Sequence, residues 1–325
     1  MGNGTKIKLG DCLVGDGEPC FIIAEIGANH NRDFDLARRL IDHAVLAGAD
    51  CVKFQTFLAD KHFSKFTPSV PGFDKHIHQV VKETEIERSW LPKLKEHVEE
   101  QEAVFLSSLG DFEAIEILES LSVVGYKNTS FEITDLKLIN AMAETGKPII
   151  LSTGLADMND IQRAVDTCHS VNNQDIILLQ CTSLYPAPPE LTNLRAMHTM
   201  QNRFGTLVGY SDHTTNDHIA LGSVALGACI LEKHFTLDQT LPGPDHHFSM
   251  EPQGFQNMVA KIREFESAIG DGTKSGPRAE EKDNFRLGRR SVHAAVDILM
   301  GTTIEERFLC IKRPGLGIEP HRIHS

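Results

Sequence analysis

Eight short apolar runs, each about the length of a buried strand, recur over the first 270 residues of the chain, with a helical pattern between most of them. The first two begin at Cys20 and Cys51, and the others span Ala103–Ser107, Val123–Lys127, Pro148–Thr153, Ile176–Thr182, Thr206–Tyr210 and Ala228–Glu232. Helical periodicity fills Phe34–Leu46, the stretch holding Leu91, Leu94 and Val98, then Phe112–Leu121, Leu136–Glu144, Met158–Thr167, Leu191–Arg203, Asp217–Gly227 and Phe255–Ile269. Such alternation implies parallel strands, because each connection is long enough to cross a sheet face as a helix. Eight strands over about 250 residues predict a (β/α)₈ barrel. An open doubly wound sheet is the competing architecture, but it gathers its polar residues at one switch point, whereas here polar clusters follow nearly every run. No G-x-G-x-x-G follows the first run, and no Walker loop is present. Residues 1–19 lack a strong period and read as an arm or lid over the first strand, and Phe57 to about Val81 reads as irregular.

After Gly270 the chain turns into D-G-T-K-S-G-P-R-A-E-E-K-D-N, a Gly-, Pro- and charge-rich linker. The expected division is residues 1–270 as the barrel, 271–285 as linker and 286–325 as a small second unit with short alternating apolar runs. A unit that small buries a marginal core and needs another surface, such as a partner subunit.

A formal net charge of −13, without a stripe of Lys or Arg, argues against nucleic acid as a ligand. No apolar run approaches the roughly 18 residues that span a bilayer, and the polar N-terminus has no apolar signal region. The seven cysteines lack C-x-x-C spacing and fall mostly in apolar runs, as expected in a reducing, cytoplasmic setting.

In a barrel the carboxyl ends of all eight strands face one bowl, so their residues can be pooled. The pool includes Glu25, Asn29 and His30; Lys53 and Gln55; Ser107 and Ser108; Lys127, Ser130 and Glu132; Thr182, Ser183 and Tyr185; Ser211, Asp212 and His213; and Glu232, Lys233 and His234. His213 and His234 close the G-Y-S-D-H and L-E-K-H runs, strands joined by one helix, so they emerge side by side as candidate metal ligands. Lysines and hydroxyls beside them suit a phosphorylated anion. Asp245, His246 and His247 follow the last strand; adjacent histidines in an extended segment point apart, which weakens the pair as a second metal site.

The runs F-I-I-A-E-I-G-A-N-H, G-A-D-C-V-K-F-Q-T, Y-K-N-T-S-F-E-I, K-P-I-I-L-S-T-G, Q-C-T-S-L-Y-P, G-Y-S-D-H-T, L-E-K-H-F-T and P-G-P-D-H together resemble the successive motifs of the sialic acid synthase family. The resemblance implies a metal-dependent barrel that condenses phosphoenolpyruvate with an N-acetylmannosamine-type amino sugar, giving a nonulosonic acid and phosphate. It implies His213 and His234 as ligands of a divalent metal, manganese first, with magnesium or cobalt as alternatives. Lys53, Ser108, Lys127, Ser130, Ser183 and Ser211 would hold phosphoenolpyruvate; Glu25, Gln55, Tyr185 and Asp245 would serve the sugar and the attacking water. The tail resembles part of an antifreeze-like (SAF) domain, implying a domain-swapped homodimer in which Arg313 of K-R-P-G reaches the neighbouring site. Ser183 stands where many members carry asparagine. S-F-E-I-T-D resembles pseudaminic acid synthases and P-G-P-D-H the neuraminic and legionaminic branch, which leaves the sugar open.

On this reading a cation held by two histidines keeps open positions for the aldehyde oxygen and water. Glu132 is expected to stabilise the cationic enol carbon or assist the water, and Glu25 to manage protons near the aldehyde. Three rivals stand beside it, one of them a structural histidine pair in a barrel of unrelated chemistry. A Schiff-base aldolase would use Lys53 or Lys127 without a metal, and a non-catalytic sugar-binding homologue would have no need of the histidine pair.

Overall fold

The computed structural model describes residues 5–66 and 75–323. Within these the chain opens with an antiparallel hairpin, β1 (Lys6–Leu9) and β2 (Cys12–Gly15). Eight parallel strands follow: β3 (Phe21–Glu25), β4 (Cys51–Gln55), β5 (Val104–Ser108), β6 (Tyr126–Asn128), β7 (Ile149–Ser152), β8 (Ile176–Cys181), β9 (Leu207–Asp212) and β10 (Ile230–His234). They pair in chain order, and β10 returns to β3, so the sheet closes into a barrel and the open-sheet alternative is excluded. The helices between and after them are α1 (Phe34–Leu46), α2 (Ala59–His62), α3 (Ile77–Thr84), α4 (Leu91–Glu99), α5 (Phe112–Ser120), α6 (Leu136–Glu144), α7 (Met158–Ser170), α8 (Ala196–Phe204), α9 (His218–Ala225) and α10 (Pro252–Ile269).

Local chemistry sets several helix starts. Asp33, Asp111, Asp135 and Asp157 each sit just before a helix and accept backbone N–H groups of its first turn, satisfying donors that have no intrahelical partner. Strand alternation then divides the apolar residues into two layers. Ile22, Val52, Phe105, Ile149, Leu178, Val208 and Leu231 face the helices, whereas Phe21, Ile23, Cys51, Leu106, Ile150, Ile177, Leu179, Leu207 and Ile230 fill the barrel.

The hairpin corrects the reading of residues 1–19. Its Ile7, Leu9 and Val14 are buried and join the interior layer with Leu207 and Ile230, and Gly10 approaches Val104 and Val124 at the starts of strands. The hairpin is a plug in the amino-terminal end of the barrel, not a lid over the first strand. Its alternating burial, exposed Lys6 and Lys8 against buried Ile7 and Leu9, is a strand signal.

Other boundaries move for identifiable reasons. β9 and β10 run two residues further than the apolar runs, because Ser211, Asp212, Lys233 and His234 continue the ladder. Backbone pairing is indifferent to side-chain polarity where the side chains find partners of their own. The helix expected over Leu191–Arg203 is a short 3₁₀ turn at Pro189–Leu191 followed by α8, with Asn193 at φ 45° interrupting the helical path. The stretch from Phe57 to Val81 contains α2 and the start of α3; residues 67–74 of it lie outside the described residues.

The chain divides into two units, Met1–Ala268 and Ile269–Ser325. The second holds α11 (Lys282–Gly288), which begins inside the linker-like stretch, and an antiparallel pair, β11 (Ser291–Ala294) and β12 (Leu309–Lys312). Leu299, Met300, Leu316 and Ile318 in this unit are exposed. All seven cysteines are free, and no helix among the described residues is long and apolar enough to cross a membrane.

Candidate active site

Above the apolar layers the barrel interior becomes polar. Lys53 on β4 is buried with its Nζ 2.8 Å from Oε2 of Glu25 on β3 and 3.5 Å from Oε1 of Glu232 on β10. Gln55 Nε2 donates to the other Glu25 oxygen at 2.6 Å, and Ser211 Oγ donates to Glu232 Oε1 at 3.2 Å. Burial pushes the Glu25 carboxyl above its ordinary range, more than Lys53 can pull it back. Glu232 feels the same desolvation, but Lys127 and Lys53 outweigh it and hold this carboxyl low. The two carboxyls are therefore shifted in opposite directions by their surroundings. Desolvation also works against the charge on Lys53, yet Glu232 and Glu25 overcome it and keep the ammonium.

Lys127 on β6 is buried and donates to Ser152 Oγ at 2.7 Å and to the Asn128 carbonyl at 2.9 Å; burial lowers its pKa, with Glu232 offsetting only part of the effect. Beside it Ser130 Oγ lies 2.9 Å from Cys181 Sγ and accepts the Gly154 N–H at 3.0 Å. A Cβ on Gly154 would collide with Ser183 Oγ and lie 2.7 Å from Cys181 Sγ and 2.8 Å from Ser130 Oγ, so glycine alone lets β7 end against these three groups. Ser183 Oγ is itself buried without a hydrogen-bond partner. Ser108, opposite both Gln55 and Lys127 in the ladder, is buried with its Oγ 3.4 Å from the Phe54 carbonyl.

His213 and His234 stand together as the sequence suggests, with ring centroids 5.6 Å apart. Tyr185 packs 4.3 Å from the His213 ring, and Phe248 lies 4.8 Å from His234 and 5.3 Å from Tyr185, forming an aromatic wall. His213 Nδ1 is 2.7 Å from the Thr182 carbonyl; it must carry the proton there, which leaves Nε2 with a lone pair. His234 Nδ1 is buried with no hydrogen-bond partner. Burial lowers the pKa of both imidazoles, most for His234, which His213 lowers further. Asp245 Oδ2 lies 3.9 Å from His234 Nδ1 and accepts the Ala28 N–H at 3.1 Å. That approach requires Gly27, at φ +54°, since a Cβ there would sit 2.6 Å from the Asp245 carboxylate.

One expected residue stands apart. Glu132 is nearly buried but turned toward α2: His62 Nε2 lies 2.9 Å from its Oε1, and Thr129 Oγ1 donates to its Oε2, so it has no link to the Lys53 cluster. Arg313 belongs to the second unit and is exposed. His246 is structural, its ring between Thr236 Oγ1 at 2.6 Å and Asn31 Nδ2 at 3.1 Å. Conversely Glu232, pooled with the strand ends but given no role, sits at the centre. The signal was available, because Glu232 precedes His234 by two residues on one strand and so shares its face.

The chain matches the NeuB family over residues 40–274. It belongs to that family. An N,N'-diacetyllegionaminic acid synthase of Campylobacter jejuni is 40% identical over 309 residues, covering 93% of this chain and 92% of that one. The human N-acetylneuraminate-9-phosphate synthase is 36% identical over 305 residues, covering 92% of this chain and 84% of the relative. Among solved structures, the N-acetylneuraminic acid synthetase of Leptospira borgpetersenii superposes with a TM-score of 0.78 at 34% identity, covering 86% of this chain and 95% of its own. The NeuB match takes in every strand of the barrel except β3 and ends before α11.

The donor set fits a divalent cation. Two neutral imidazoles with lone pairs to offer stand near the ionised Glu232, whose Oε2 is buried without a hydrogen-bond partner. Among the described residues no group of three or more His, Cys, Asp and Glu side chains has metal-holding geometry. An ion at the histidines would therefore take its remaining ligands from water and substrate.

Proposed function

We propose that this NeuB-family protein condenses phosphoenolpyruvate with the open-chain aldehyde of an N-acetylmannosamine-type sugar, releasing a nonulosonic acid and phosphate. The observation that carries the reading is the pairing, in one bowl, of two neutral histidines with a Lys53–Glu25–Glu232 cluster and a second buried lysine. A divalent cation at His213 and His234, manganese first, with magnesium or cobalt as alternatives, would polarise the aldehyde.

The side chains supply the rest. Lys53, Lys127, Ser108, Ser130, Ser183 and Ser211 would hold the phosphate and carboxylate of phosphoenolpyruvate, with point charges and hydroxyl donors in a water-poor site. Carbon 3 of the enol attacks the aldehyde carbon, and the aldehyde oxygen takes a proton. Glu25, its pKa raised by burial and oriented by Gln55, is the donor this chemistry wants. Water adds to the cationic carbon 2 and gives up one proton, leaving a hydroxyl; the carbon–oxygen bond to phosphate then breaks with its electron pair leaving on the phosphate, which takes the hydroxyl proton as the ketone forms. Glu232, ionised, suits the stabilisation of that cation; Glu132, engaged by His62 and Thr129, is less available. Tyr185 and Asp245 would meet the sugar.

Incubating the protein with phosphoenolpyruvate and N-acetylmannosamine, with and without manganese, tests this through phosphate release. Release needing both sugar and cation supports it. Turnover that survives chelation, with borohydride trapping pyruvate on Lys127, would replace it by Schiff-base chemistry, and Lys127 is the candidate because burial lowers its pKa. Sugar binding without phosphate release would leave a non-catalytic homologue. The 40% identity to the legionaminic acid synthase favours, as a second reading, a diacetylated sugar in place of N-acetylmannosamine. Arg313 would act across a homodimer, its exposed guanidinium and the exposed Leu299, Met300, Leu316 and Ile318 supporting contact with a second copy, and the small unit would be a partial SAF module. The free cysteines support a reducing, cytoplasmic setting.

A further inference from the structure

Behind the two histidines, on the side of the sheet turned toward the helices, lies an ion pair that the chemistry above does not use. Alternation along β10 sends Glu232 and His234 into the bowl and Lys233 outward between them; along β9, Asp212 points outward immediately before His213. The β9–β10 register sets Lys233 opposite Asp212, and Nζ lies 2.7 Å from Oδ2. Both residues are buried, 2% and 1% exposed.

The pair also grips the chain just past His213. Asp212 Oδ1 accepts the Thr214 N–H at 2.9 Å, and Lys233 Nζ donates to the Thr214 carbonyl at 2.6 Å. The peptide groups on both sides of Thr214 are thereby fixed, and the His213 carbonyl is held by the Ala187 N–H at 2.9 Å. One partner precedes His213 and the other precedes His234. A buried ion pair is a poor investment in stability, because apolar residues of similar volume often serve as well or better; its attested use is to fix a register.

We propose that Asp212 and Lys233 are a positioning pair that sets the backbone of His213 and His234, and through it the spacing at which their imidazoles take a divalent cation. The proposal rests on the reading that the histidine pair binds such an ion. Residues that orient metal ligands from behind are worth about 10–100-fold in affinity when lost.

The test uses charge-neutral double variants, which leave no unpaired buried charge: Asp212→Asn with Lys233→Met, and Asp212→Asn with Lys233→Gln. Asn keeps an acceptor for Thr214, Met removes the donor, and Gln restores a weaker one. Manganese affinity is read from the electron paramagnetic resonance signal of unbound Mn²⁺, alongside circular dichroism and the separate kcat and KM values. The expected result is a folded Asn/Met variant whose manganese Kd rises about tenfold or more, with an intermediate Kd for the Asn/Gln variant. A folded Asn/Met variant with a manganese Kd within about twofold of wild type overturns the proposal, as does failure of both to fold, which would make the pair a requirement of the fold. Wild-type protein that binds no manganese, or His213→Ala protein that still binds it at full affinity, strikes instead at the metal reading and takes the proposal with it.

Discussion

Glu25 and Lys53 meet across adjacent barrel strands at 2.8 Å, both fully buried, yet burial, helped by the negative charge of Glu232, raises the carboxyl's pKa more than the lysine lowers it. The two carboxyls around this lysine are shifted in opposite directions, Glu25 up and Glu232 down. Glu25→Gln preserves the hydrogen-bonding shape and removes the proton. It should lower kcat by about 10²–10⁴-fold with manganese affinity retained. Steady-state phosphate release checks this, and an unchanged kcat removes Glu25 from the reaction.

Replacing His213 or His234 by alanine should abolish cation-dependent turnover while the melting temperature stays within a few degrees of wild type, since neither ring belongs to the packed apolar layers. Turnover within about tenfold of wild type at saturating manganese would show that the rings are not ligands.

Gly154→Ala would drive a methyl group into Ser183, Cys181 and Ser130. The expected cost is about 1–3 kcal/mol of stability from overpacking, together with a tenfold or greater rise in the Kd for phosphoenolpyruvate, read by isothermal titration calorimetry. A folded variant that binds phosphoenolpyruvate normally would move the phosphate elsewhere in the bowl.

His30 gives a pH dependence unconnected with the chemistry. Burial, with smaller contributions from Arg32 and His246, lowers its pKa from 6.5 to about 4. The unfolded chain therefore takes up a proton near pH 6.5 that the native state refuses until about pH 4, so stability rises with pH across that window. The full effect is present above the window and amounts to about 3 kcal/mol, lost as the pH falls to 4. His30→Asn keeps an acceptor for the Arg32 N–H, which lies 3.1 Å from Nδ1, and should flatten the slope of urea-unfolding free energy against pH. An equal slope in both proteins would assign the acid sensitivity to other groups.

The barrel was legible in the sequence because its signals are local: an apolar run per strand and a helical pattern between most of them. The histidine pair was legible for the same reason, each histidine closing its run. What stayed hidden depended on contacts distant in sequence. Nothing near Glu132 reveals that His62, seventy residues earlier, takes its carboxylate. Glu232 could have been assigned by counting along its strand, but its ionised state comes from Lys53 and Lys127 on two other strands. The plug was missed because a four-residue strand is too short for its alternation to stand out.

That plug ties the two ends of the barrel's synthesis together. Ile7, Leu9 and Val14 precede every barrel strand in the chain, yet part of the surface they cover is built by Leu207 and Ile230, from the last two strands of the barrel. The opening hairpin must stay exposed until about two hundred further residues have been translated. Its docking and the β10–β3 closure are contacts of very long sequence separation, which a chain reaches slowly. A nascent or heat-loosened molecule would then show the apolar face of this hairpin to chaperones and proteases.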